Sequence, residues 1–111
     1  MIEIVKVTTT VDSEQAASKL AKQIVAARLA ACVQIDGPLL SIYRWQGDVC
    51  ETQEWRCTIK TLASASAQLI DFIDEHHPYE VPEVLVIRVQ TSAALYAQWL
   101  ADQVDEATKD D

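Results

Sequence analysis

Apolar and polar residues recur along this chain with two distinct periods, and the order of those periods outlines a fold. Ile2 to Thr8 is short and rich in β-branched residues, which suits a strand, and Asp12-Ser13 follows it as a turn. Ala17, Leu20, Ala21, Ile24 and Val25 then return every three or four residues on one helical face. Asp12 paired with Gln15, or Ser13 one residue on, supplies a cap, so a first helix is predicted from Ser13 to Leu29.

Beyond that helix the period falls to two. Ala31, Val33 and Ile35 alternate with Cys32 and Gln34, Gly37-Pro38 interrupts them, and Leu39 to Trp45 resumes an extended composition, which predicts a strand with a break or bulge. After a turn at Gln46-Gly47-Asp48, one parity holds Val49, Trp55, Cys57 and Ile59. The other holds Cys50, Thr52, Glu54, Arg56, Thr58 and Lys60, the signature of a half-buried strand. Leu39 to Thr61 thus describes a long hairpin reaching past a small sheet. Its apolar side chains, such as Trp45 and Trp55, have no assured partner in their own chain, so the ribbon invites a neighbour.

Ser64 or Ser66 caps a second helix carrying Leu69, Ile70 and Ile73, and Pro78 ends it because the residue before proline avoids helical geometry. Glu83 to Val89 reads as a last core strand. Ser92 opens a third helix bearing Leu95, Tyr96, Trp99, Leu100 and Val104. The resulting order, β-α-β-β-α-β plus a terminal helix, is the ferredoxin-like arrangement of the mixed α/β (α+β) class. Residues 1–104 are expected to form one domain, with 105–111 an acidic, solvated tail. Helices cover one face of such a sheet, so its other face is expected to be buried by another subunit.

Charge and composition narrow the function. A net charge of −8 repels a polyanion, which argues against nucleic acid, and no apolar run reaches the roughly 20 residues of a membrane span. The first residues carry no basic leader or cleavage site, so a cytoplasmic location is expected. Three cysteines without a C-x-x-C pairing speak for reduced thiols rather than a disulfide framework or a zinc ribbon.

Candidate chemistry is sparse. With Gly37 and Gly47 the only glycines, neither a dinucleotide-binding turn, a P-loop nor a serine-hydrolase elbow can be built, and H-E-x-x-H is absent. The chain is therefore expected not to be an enzyme. A small hydrolase using Cys or His is a minor alternative that needs the fold to bring a thiol to His76 or His77. Cys32 and Cys57 lie in strand patterns and read more simply as small buried hydrophobes. Imidazole is the usual ligand for copper and zinc, which makes His76 and His77 candidate metal ligands. Adjacent helical residues diverge by about 100°, however, and the competing reading is that the pair terminates the second helix. Pro78 and Pro82 stiffen a connection that presents Tyr79, Glu80 and Glu83 as candidate binding residues, with Lys60 a candidate counter-charge.

Four motifs in succession carry a family resemblance: Ala27-Arg28-Leu29-Ala30-Ala31-Cys32-Val33, Ser41-Ile42-Tyr43-Arg44-Trp45-Gln46-Gly47, Ile59-Lys60-Thr61 and His77-Pro78-Tyr79-Glu80-Val81-Pro82-Glu83. Together with Tyr96 and Trp99 they resemble the CutA family of divalent-cation tolerance proteins. The resemblance implies a ferredoxin-like protomer in a tight homotrimer, similar in architecture to the PII signalling proteins. It also implies intersubunit clefts that receive an ion or small ligand, here through Lys60, Tyr79, Glu80 and Glu83. A link to divalent metals, especially copper, comes with it, and no catalysed reaction does. No cofactor is required on this reading; copper or another divalent cation is expected to be held weakly. In some members a copper site is ascribed to a cysteine at the end of the first strand together with the histidine pair, but here that position holds Thr8. Arg88 and Ala93 or Ala94 also depart from the proline and glycine usual in the family. The competing function, a cytoplasmic copper- or zinc-sequestering protein, is weakened because Thr8 to Ser13 contains no M-x-C-x-x-C.

Overall fold

In a computed structural model, which describes residues 1–104, the predicted element order is present. The elements are β1 (Ile4–Val11), α1 (Glu14–Ala26), β2 (Cys32–Trp45), β3 (Asp48–Leu62), a 3-10 turn (Ala63–Ala65), α2 (Ser66–His76), β4 (Leu85–Arg88) and α3 (Ala94–Gln103). The sheet order is β2-β3-β1-β4 with every neighbouring pair antiparallel, the ferredoxin-like topology. The acidic tail expected at 105–111 lies outside the described residues.

The alternation of β1 sends residues to two different cores. Val5, Val7 and Val11, with Cys57 and Ile59 of β3, face α1 and α2 and pack with Leu20, Ile24, Leu69 and Ile73. Ile4 and Leu62, one residue out of step, face the other way and meet Ala97, Leu100, Ala101 and Val104. Helix α3 therefore covers one end of the second sheet face, which the sequence pattern had left wholly to another subunit. The rest of that face remains open, with Lys6 and Lys60 opposite one another in register and Thr8 opposite Thr58.

Local chemistry explains where the helices begin and end. Ser13 caps α1, its hydroxyl accepting the N–H of Ala16 at 3.0 Å, one of the two caps expected. The helix stops three residues short of Leu29, because Arg28 turns into the left-handed region at φ 58°. Neither Ser64 nor Ser66 caps α2. A 3-10 turn precedes it, and the Ser66 hydroxyl donates back to the Ala63 carbonyl at 2.8 Å instead. Helix α3 likewise begins without a side-chain cap, at Ala93 rather than Ser92.

Three further expectations change. The first strand runs later than predicted, to Val11, because β3 pairs with it as far as Trp55. The last strand is a short edge strand and not a core one: only Leu85–Arg88 pair with β1, and all four side chains are exposed. On α3, Leu100 and Val104 are buried as expected, but Leu95, Tyr96 and Trp99 point to solvent while Ala97 and Ala101 complete the contact.

The hairpin is the largest feature outside the core. β2 and β3 pair without interruption from Leu39/Glu54 to Trp45/Asp48, beyond the reach of β1, which ends opposite Trp55. A bulge between Asp36 and Leu39 accommodates Gly37 and Pro38, joined by a cis peptide bond. Glycine is required here by close approach: a Cβ on Gly37 would stand 2.6 Å from the Trp55 ring. Trp55 is thereby an intrachain packing residue, half-buried against the α1/α2 core.

Candidate functional site

Along the hairpin, the loop after α2 crosses to the ribbon and the two enclose an open groove of about 770 Å³. That is within the size range of small-ligand sites. Leu39, Tyr43 and Trp45 of β2, Glu54 of β3 and Asp12 after β1 supply one side; Tyr79, Glu80, Val81 and Glu83 of the loop supply the other. Three of the four expected cleft residues therefore share one groove. Lys60 does not join them within one chain: it sits six residues along β3 from Glu54, roughly 20 Å of strand, between Lys6 and Cys32.

His77 anchors the loop. Its ring is buried, and Nε2–H reaches the Thr10 carbonyl at 2.9 Å and the Thr9 hydroxyl oxygen at 3.0 Å. Nδ1 accepts the Tyr79 backbone N–H at 3.0 Å, so the partners fix the neutral Nε2–H tautomer. Burial, opposed by the Thr10 hydrogen bond and the charges of Asp12, Glu54 and Asp74, holds the imidazole below its ordinary pKa of 6.5. With both nitrogens engaged, His77 has no lone pair for a metal.

His76 diverges from it, as helical geometry requires. Its ring stacks on Phe72 with centroids 4.0 Å apart, and Nδ1–H donates to the Phe72 carbonyl at 2.8 Å, closing the last turn of α2. Only Nε2 of His76 faces solvent without a partner among the described residues. No group of three or more His, Cys, Asp or Glu is arranged to hold a metal ion among those residues, and the donor set does not fit a closed copper or zinc centre.

Tyr79 is positioned from two sides. Its backbone bonds His77, and its phenol donates to Glu54 Oε2 at 2.8 Å. Glu54 is only 9% exposed. Desolvation first, and then the hydrogen bond and charge of Glu54, raise the phenol well above its ordinary pKa of 10.0. Sequence reasoning missed Glu54, which its polar parity marked as solvent-facing; the signal that finds it is the loop tyrosine, visible only once the loop is folded over the ribbon.

No thiol is hydrogen-bonded to a basic side chain among the described residues. Cys57 is fully buried, donates weakly to the Ala17 carbonyl at 3.8 Å, and is pushed up to about 11 by burial and then by Asp36, which leaves it a poor nucleophile. Its reading as a small core hydrophobe holds, whereas Cys32 is only half-buried, on the open sheet face.

Comparison with known proteins identifies the family. The family model described as CutA1 divalent ion tolerance protein matches residues 5–103. A divalent-cation tolerance protein CutA of Thermus thermophilus is 43% identical over 84% of this chain and 90% of its own length. Protein CutA of Homo sapiens is 40% identical over 91% of this chain, which spans 56% of that relative. The crystal structure of CutA1 from Oryza sativa superposes with a TM-score of 0.92 at 32% identity, covering 95% of this chain and 96% of that one. This chain belongs to the CutA1 divalent ion tolerance family.

Proposed function

We propose that this protein acts in divalent-cation tolerance as a cytoplasmic, non-catalytic homotrimer whose intersubunit clefts bind an ion or small ligand. The observation that carries the reading is unburied apolar surface around the groove. Leu40, Ile42 and Val49 on the hairpin are each more than 60% exposed, and Leu85, Val86 and Ile87 are open on the edge strand. A ribbon and an edge of this kind are stable in water when a second copy covers them. On this arrangement Tyr79, Glu80 and Glu83 line the cleft from one copy, and Lys60 reaches it from the sheet face of another.

The reading is non-catalytic because the groove holds no activated nucleophile, the core thiol being protonated and His77 committed to its three partners. It is not a metal cage, since His76 is the single histidine with a free nitrogen among the described residues. No described helix is long and apolar enough to cross a membrane, and partners in the bilayer or among nucleic acids form no part of the proposal. Native mass spectrometry of protein purified without chelator tests it. The expected result is a trimer mass retaining a small ligand; a monomer mass at micromolar concentration overturns it.

A further inference from the structure

The groove has a definite chemical character. Its titratable lining is almost entirely acidic, with Glu54, Glu80, Glu83 and Asp12 set against Arg56. Arg56 is paired at 3.3 Å with Asp36, which does not line the groove, so four lining carboxylates face one partly offset cation. Aromatic faces from Tyr43, Trp45 and Tyr79 stand among these carboxylates. Rings with carboxylates beside them are the surroundings that a desolvated organic cation prefers, since the ring quadrupole and the charges attract it together.

Glu54 gives a second and independent indication. It is nine-tenths buried, Oε2 is held by Tyr79, and no other hydrogen bond reaches the carboxylate from the described residues. No fully enclosed side-chain oxygen lacks a partner among the described residues, so the unpartnered Oε1 is not sealed off within a residue that lines the groove. A carboxylate this deeply buried, with one oxygen unpaired in a residue that lines a cavity, is set to accept a charged donor from whatever occupies it.

We propose that the groove is a binding site for a small organic cation, a protonated amine or quaternary ammonium, recognised by the rings of Tyr43 and Trp45 and the carboxylates of Glu54, Glu80 and Glu83. The assignment rests on the cleft reading above and names its ligand class. The protein's net charge of −8 draws such a ligand inward and turns anions away. A hard divalent cation makes no use of the aromatic lining, and the carboxylates repel the phosphates of a nucleotide.

Calorimetric titration of the full chain with 1,5-diaminopentane, tetraethylammonium and pentanedioate tests this, with the Trp45 indole N–H followed by NMR. Both cations are expected to bind and to move that signal, more weakly at high salt. Glu54→Gln keeps an acceptor for Tyr79 and is expected to weaken binding of the diamine about tenfold. Glu83→Gln, at an exposed position with no fold to disturb, is expected to weaken it less. Absence of cation binding, or cation binding indifferent to both variants, overturns the assignment. Preferential binding of pentanedioate that is lost in Lys60→Gln also overturns it while leaving the intersubunit cleft standing; a monomer mass overturns the cleft independently.

Discussion

The Tyr79 phenol donates a 2.8 Å hydrogen bond to the Glu54 carboxylate, tying a loop to a strand 25 residues away in sequence. A charged acceptor makes this bond one of the stronger kind, and its loss leaves a buried carboxylate unsatisfied. Tyr79→Phe is expected to cost about 1–3 kcal/mol in denaturant unfolding, with Glu54→Gln milder because an amide oxygen can still accept.

The same pair sets an alkaline limit. The folded-state pKa of Tyr79 is raised above its unfolded value of 10.0, so its contribution is complete below that pH and is lost as pH rises through the folded value. Wild-type stability is expected to fall more steeply above pH 10 than that of Tyr79→Phe, measured as the difference between their denaturation midpoints. Parallel profiles would show that Tyr79 plays no part.

His77 sets the acid limit by the opposite sign. Its folded-state pKa lies below 6.5, so the neutral ring's contribution is complete above that value and is lost as pH falls toward the depressed one. Protonation of Nδ1 also removes the acceptor of the Tyr79 N–H. His77→Gln should be less stable than wild type at pH 7.5, with the gap narrowing at pH 5.5.

Metal should be held weakly and at one histidine. Copper or zinc titrated at pH 7.5 is expected to bind no tighter than about micromolar, since a lone imidazole falls well short of the four ligands of a structural site. His76→Ala should remove that binding. Nanomolar affinity surviving His76→Ala would place the ligands elsewhere.

Leu40→Asp tests the hairpin as an assembly surface at an exposed residue that does not line the groove. A charge in a desolvated contact costs several kcal/mol, so native mass spectrometry is expected to show a shift from trimer toward monomer. An unchanged trimer would take this face of the ribbon out of the interface.

Periodicity made the fold legible, because Val5, Val7, Cys57 and Ile59 obey a two-residue alternation that only a sheet under helices rewards. It failed at Leu85–Arg88, where an apolar run that reads as a core strand lies open at the sheet edge, and at Leu95 and Trp99, apolar but outward. In both places composition reports burial without saying whether this chain or another supplies it. The loop residues Tyr79, Glu80 and Glu83 were legible as a group from their two prolines. Glu54 was not, since its hydrogen bond spans a distance that no local pattern encodes.

The bulge at Gly37 and Pro38 acts as a change of phase along β2. Before it, Cys32, Gln34 and Asp36 share a face with Lys60, Thr58 and Arg56; after it, Leu39, Ser41, Tyr43 and Trp45 take that side beside Glu54, Thr52, Cys50 and Asp48. Even positions give way to odd ones because one extra residue is absorbed between Asp36 and Leu39. Without that residue Leu40, Ile42 and Arg44 would take the side of Thr52 and Cys50, and the rings of Tyr43 and Trp45 would pass to the other. A single inserted residue thus decides which parity of β2 side chains stands beside Glu54.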